Sequence, residues 1–202
     1  NWIDGESLQE AVQRGPRPFP AVHILARDML SGLEHAHAHG IVVRRIAPTS
    51  LLVNLAGRGT VTDLRFCNWT LPAIPPTDIP GAQAYMAPEI RGGAPGDPTS
   101  DIYTAGAILY VAVTGVEPPL DSAQLKPPSA LRPNCPRAIE RILLRSLRPA
   151  PDDRYLTAAE MLEDFASDAG TFESPAVVQL SPRILPSESD DGRHWEKRLR
   201  RA

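Results

Sequence analysis

Cysteine is scarce in this chain. Only Cys67 and Cys135 occur in 202 residues, far apart and in no metal-ligand spacing, so no disulfide framework is encoded. That usage fits a reducing compartment, and a cytoplasmic location is expected. Long apolar runs are also missing. The longest, Ala105 to Val113, is about half of the ~20 residues that a membrane-spanning helix requires. No secretory leader opens the sequence. There is no surplus of positive charge either: 21 basic and 24 acidic residues leave a formal net charge of −3. Binding of nucleic acid by the whole domain, which needs a basic surface, is therefore excluded from the expected functions. What is present is ordinary for a soluble globular domain, 42% hydrophobic and 22% charged residues, in a length that buries one core. The 22 prolines gather between residues 72 and 136 and in the tail, so long connections are expected there.

The stretch from Ile41 to Arg65 organises the rest. An extended Ile41-Val42-Val43 leads to two arginines and a Pro-anchored loop, Ile46 to Ser50. A strand Leu51 to Asn54, a turn with Gly57 and Gly59, and a strand Thr60 to Thr62 follow, ending on Asp63. A hairpin that delivers one lone carboxylate beside a loop is how several phosphate-handling enzymes present a metal ligand. The facing loop carries Arg44, Arg45, Ala47 and Ser50, none of them a good proton acceptor.

Around this centre the periodicities predict helices. Ser7 caps one that presents Leu8, Ala11 and Val12 and ends near Gly15. Pro20 to His39 forms a long amphipathic helix with Val22, Leu25, Met29, Leu33 and Ala36 on one face, stopped by Gly40. Ser100 to Thr114 is apolar nearly all round, the mark of a buried hub, and Gly115 stops it. Pro119 to Pro136 reads as loop with one helical turn near Asp121 to Leu125. Pro136 to Leu147 turns Ile139, Ile142, Leu143 and Leu147 inward, with proline at its first position. Thr157 caps a last helix carrying Met161, Leu162 and Phe165. Residues 170–192 have the composition of a flexible linker, and Arg193 to Ala202 reads as the start of a basic amphipathic helix.

In this order the sequence resembles the C-terminal lobe of a protein kinase, in particular the bacterial serine/threonine kinases of eukaryotic type. Val43 to Leu52 stands where such kinases have H-R-D-I-K-P-x-N-I-L, and Asp63-Leu64-Arg65 where D-F-G belongs. Gly81 to Glu89 resembles G-T-x-x-Y-M-A-P-E, and Asp97 to Tyr103 with Gly106 resembles the helix after it. Asp153-Arg154-Tyr155 resembles the late D-R-Y. The resemblance implies a mainly α fold, a kinase C-lobe over residues 1–169 that starts at the hinge. It has a small β-hairpin at the catalytic loop, and an N-lobe with its Gly-rich loop and lysine is absent.

The departures from that pattern are chemical. Arg45 replaces the aspartate that accepts the substrate proton, and a guanidinium has donors but no acceptor. Ala47 replaces the lysine that neutralises the transferred phosphate, and Ser50 the asparagine that holds a metal ion. Ala82 stands for threonine and Arg65 for the glycine after the metal-binding aspartate. No catalytic residue is intact, and the pattern reads as a pseudokinase. For nucleotide, the resemblance implies Ile3 at the hinge, Leu52 as the adenine floor and Asp63 as the metal ligand. An ion pair of Asp63 with Arg45 or Arg65 is the alternative. ATP and magnesium enter only with an N-lobe. Scaffold roles fall to His37 in the core, Asp101 on the catalytic-loop amides, Glu89 paired with Arg154, and Arg44. In active kinases the arginine at Arg44's place holds a phosphorylated segment, for which only Thr70 and Thr77 are available here. The expected function is a regulatory or protein-interaction module whose partner is an active kinase or an adjoining domain, as in a tandem kinase protein. The alternatives are a divergent active kinase and a nucleotide sensor. His35, His37 and His39 read as core and surface rather than metal ligands, and Asp152-Asp153 as a turn.

Overall fold

The structure is a computed structural model and describes residues 6–44, 46–53, 59–60 and 82–169. Expectations for Asn1 to Gly5, for the strand reaching Asp63 and for residues 170–202 lie outside these. Among the described residues the chain is mainly helical with one small three-stranded sheet.

Helix α1 (Leu8–Gln13) starts at a capping box: Ser7 accepts from the Glu10 amide and the Glu10 carboxylate accepts from the Ser7 amide. Each half satisfies a donor that the first turn leaves orphaned. Helix α2 (Phe19–Ala38) buries Val22, Leu25, Met29, Leu33 and Ala36, spaced three or four residues apart on one face. It ends where Gly40 takes φ 71°, the Gly40 amide bonding the His37 carbonyl and the Ile41 amide the Ala36 carbonyl. That pair of bonds needs a left-handed residue, which glycine adopts without a Cβ penalty.

Helix α4 (Pro98–Thr114) is the hub. Every residue from Ser100 to Thr114 is buried, so no face is left to water and the helix is enclosed by α1, α2 and the later segments Pro128–Leu131 and Arg137–Ser146. Each fully enclosed aliphatic chain such as Ile108 or Leu109 contributes about 1.5–3 kcal/mol. Its start lies earlier than the apolar pattern alone indicated. Asp97 accepts from the Thr99 amide at 2.8 Å and Pro98 occupies the first turn, so the polar cap precedes the apolar run by one turn. The crossing with α6 (Arg137–Ser146) is close at Gly106, where a Cβ would lie 2.8 Å from the Ser146 Cβ. Pro136 caps α6 from outside rather than occupying its first turn, and Ile139, Ile142, Leu143 and Leu147 are buried as the pattern required. Helix α7 (Ala158–Ala169) is capped by Thr157, whose hydroxyl accepts from the Glu160 amide, and packs along α2.

Two short helices escape the sequence pattern, α3 (Pro88–Arg91) and α5 (Pro128–Leu131), each four residues and started by proline. Periodicity cannot show in a single turn. Strands β1 (Glu6–Ser7), β2 (Leu52–Val53) and β3 (Gly59–Thr60) form an antiparallel sheet in that order, with Ser7 opposite Leu52 and Leu52 opposite Thr60. The β1 strand, two residues that also begin a helix cap, was not expected. Ile41 to Val43 is not a strand. The Ile41 amide stays on the end of α2, and the Val43 amide goes to a side chain instead.

Candidate functional site

That side chain is Asp101, in the first turn of α4 and fully buried. Its carboxylate accepts from the Val43 amide at 2.8 Å, the Arg44 amide at 2.6 Å and His37 Nε2 at 2.8 Å. With the carboxylate as acceptor, Nε2 of His37 carries the hydrogen. One group thus ties the N-terminus of α4 to the end of α2 and to the loop that follows. Arg44 is held at φ 62°, the one left-handed non-glycine among the described residues. That conformation costs on the order of 1–2 kcal/mol, and the two amide bonds to Asp101 offset it. The Arg44 side chain is exposed.

Downstream, Val43 and Ile46 are buried and Pro48–Ser50 forms a single 3₁₀ turn. The extended Leu51-Leu52-Val53 then alternates. Leu51 and Val53 are buried at 1% and 5% exposure, while Leu52 between them is half-buried. A strand places successive side chains on opposite faces, so Leu52 stands on the side away from the core. Ala47 is also half-buried, and its methyl supplies no donor, acceptor or charge. Arg45, Asp63 and Ile3 lie outside the described residues, and of Ser50 only the backbone is described. The structure therefore brings together Arg44, Ala47, His37 and Asp101 at one loop, with Leu52 just beyond it.

A second polar centre lies at the other side of the α4 start. Glu89, on α3, receives both terminal nitrogens of Arg154 at 2.8 and 2.9 Å and the Ser100 hydroxyl at 2.8 Å. Arg154 is 1% exposed. Its remaining donors go to the carbonyls of Arg148, Thr99 and Pro149 at 2.7, 3.1 and 2.8 Å, so all five guanidinium hydrogens are used. The bidentate fork is the strong form of this pairing. Burial pushes the Glu89 carboxyl up, but the Arg154 fork, its own backbone amide and the Ser100 hydroxyl outweigh burial, and it sits below its ordinary value of 4.5. Arg154 also lies 4.9 Å over the Tyr103 ring.

The segment between these centres is braced further. Tyr85 donates to Glu117 at 3.0 Å, and Arg91 donates to the Gln83 and Leu120 carbonyls. Neither tie was foreseen, because residues 32 and 29 apart share no local pattern. Among the described residues no group of His, Cys, Asp and Glu is placed to hold a metal ion. No described helix is long and apolar enough to cross a membrane.

These features have counterparts in known proteins. A model described as the protein kinase domain matches residues 1–165. The chain is 33% identical over 196 residues to the tyrosine-protein kinase MasK of Myxococcus xanthus, covering 83% of this chain and 30% of that protein. It is 30% identical over 200 residues to the serine/threonine-protein kinase PknL of Mycobacterium tuberculosis, covering 90% and 49%. Among solved structures, the PknI kinase domain of Mycobacterium tuberculosis superposes with a TM-score of 0.65 at 24% identity, covering 84% of this chain and 64% of that one. The chain spans about a third of the length of the first curated relatives it matches.

Proposed function

The chain belongs to the protein kinase domain family, and from that membership we propose that it is a catalytically inactive kinase lobe working as a regulatory or protein-interaction module. The observation that carries this reading is the replacement of the three phosphotransfer positions of the catalytic loop by Arg45, Ala47 and Ser50. A kinase of this family needs a carboxylate to accept or align the substrate hydroxyl, a cation on the transferred phosphate and a ligand for the second metal ion. Arg45 accepts no proton, Ala47 bears no charge, and Ser50 is a weak neutral ligand. General-base assistance alone is worth about 10²- to 10⁴-fold. The intact Asp101 and Arg154 networks support a lobe whose scaffold persists without that chemistry.

On this reading residues 1–169 form a C-lobe that starts at the hinge, 170–192 a linker, and 193–202 the beginning of a basic helix. The partner is an active kinase or an adjoining domain in the cytoplasm, met through the surface from Ala82 to Arg91 and the late helices. The full-length gene product, incubated with labelled ATP, magnesium and protein substrates, is expected to incorporate no phosphate. Incorporation that Asp63→Ala abolishes would reject inactivity and establish a divergent active kinase.

A nucleotide sensor is the second reading, favoured by one observation. Leu52 faces away from the core on β2, where the family seats an adenine ring. Calorimetry of ATP with and without magnesium separates the readings. Binding lost in Asp63→Ala indicates a metal-dependent site, and metal-independent binding indicates phosphates held by arginines. Absence of heat leaves the interaction module alone.

A further inference from the structure

The outer face of α6, one of the late helices through which the proposed function meets its partner, carries a groove, and the inference drawn from it rests on that reading. Arg137, Arg141 and Arg145 recur every fourth residue, the spacing that stacks side chains on one helix face. Arg148 continues the row past the helix end. Together with Glu140 and Asp153 they line an open groove of about 1060 Å³. Arg145 is engaged, bonded to Glu160 at 2.6 Å and stacked 4.0 Å over Tyr155. Glu140 is engaged too, accepting from the Ser129 amide at 2.7 Å. Arg137, Arg141 and Arg148 are exposed and form no ion pair among the described residues. Three guanidiniums therefore face one groove without a carboxylate partner. The inward leucines and isoleucines of α6 follow the same period as these arginines, which occupy the opposite face.

The same chain carries a matching segment, Ser187-Glu188-Ser189-Asp190-Asp191, with carboxylates at three of its positions. Its tether is long enough. Arg145 meets Glu160 in the first turn of α7, so the groove lies beside that end of α7. Ala169 is about 14 Å further along the helix at ~1.5 Å per residue. The chain from Ala169 to Glu188 reaches up to about 60 Å at ~3.3 Å per residue. A tethered segment meets its site at an effective concentration on the order of millimolar, which suits exposed ion pairs that are individually weak.

We propose that residues 187–191 dock in cis on the arginine groove of α6, so that this face of the lobe is covered by its own tail. Occupancy follows salt, because exposed pairs are screened within about 10 Å at 0.1 M ionic strength. A more acidic partner would have to displace the tail to reach the face.

The test follows cleavage after Glu188 by a Glu-specific protease in the full chain, read by mass spectrometry against cleavage after Glu173 of the same tail. At low salt, Arg137→Glu with Arg141→Glu is expected to raise the Glu188-to-Glu173 ratio several-fold. Salt at about 0.5 M, where screening is nearly complete, should raise wild type to the same ratio. Adding Asp190→Lys and Asp191→Lys to the arginine variant should restore protection, which a merely unfolded variant could not do. Circular dichroism checks that every variant keeps its helix content. Equal ratios in wild type and the arginine variant at low salt overturn the proposal, even if a free acidic peptide is found to bind the groove.

Discussion

The anchors around the start of α4 and the loop beside it differ in what they retain. On one side Asp101 and Arg154 are buried and well satisfied: three donors converge on the carboxylate and all five guanidinium hydrogens find acceptors. On the other side Ala47 brings only a methyl to a half-buried position. The difference has an energetic basis. Removing a buried anchor strands its partners in a place water cannot reach, whereas shortening a half-buried loop side chain leaves its neighbours open to solvent. The anchors of the fold and the side chains that the loop presents are thus different residues, and a change in the second need not disturb the first.

The largest effect that would break this comparison comes from Arg154→Met. The substitution keeps bulk but removes the five guanidinium donors from the Glu89 carboxylate and three carbonyls, leaving Glu89 only the Ser100 hydroxyl and its own backbone amide, and about 3–5 kcal/mol of stability should be lost. A urea titration of wild type and variant reads it; a change under 1 kcal/mol would show that the network is dispensable. Asp101→Asn should cost less, roughly 1–3 kcal/mol. The amide keeps one acceptor oxygen but points an NH₂ at a donor, and Arg44 loses what holds its left-handed backbone. Loss of protection of the Val43 and Arg44 amides in hydrogen exchange is the accompanying signature.

Acid sharpens the same contrast by a smaller margin. The Glu89 carboxyl sits below its ordinary value in the folded chain, so its contribution is present above the unfolded value and lost as pH falls through the folded one. Thermal stability should therefore fall below about pH 4.5. Arg154→Met should flatten that dependence, since it removes the group that holds the carboxyl down. The smallest effect is expected at the loop. Ala47→Lys should shift stability by no more than about 0.5 kcal/mol and should restore no phosphate transfer, because Arg45 still supplies no acceptor. Activity regained from this single change would mean that the loop was one residue from function.

The buried helices were legible because burial imposes a period. The apolar run from Ala105 to Val113 has no polar face, and such a helix has nowhere to sit but the centre. The motif residues Asp101, Glu89 and Arg154 were legible as a set because their order and separations resemble a known family, not because anything local marks them. The short helices α3 and α5 and the two-residue strand β1 were not legible. One turn is too short to show a period, and β1 exists only because β2 lies beside it.

By itself, then, the sequence determined the helical hub, its glycine stops and caps, and the chemical identities at the loop, since these depend on residue type and near neighbours. Only the tertiary structure decided that Val43 and Arg44 give their amides to a carboxylate 58 and 57 residues away instead of to a strand. It also decided that four arginines of and after α6 line one groove. Both outcomes are set by which surfaces packing brings within hydrogen-bond or Coulomb range, a distance that separation along the chain does not encode.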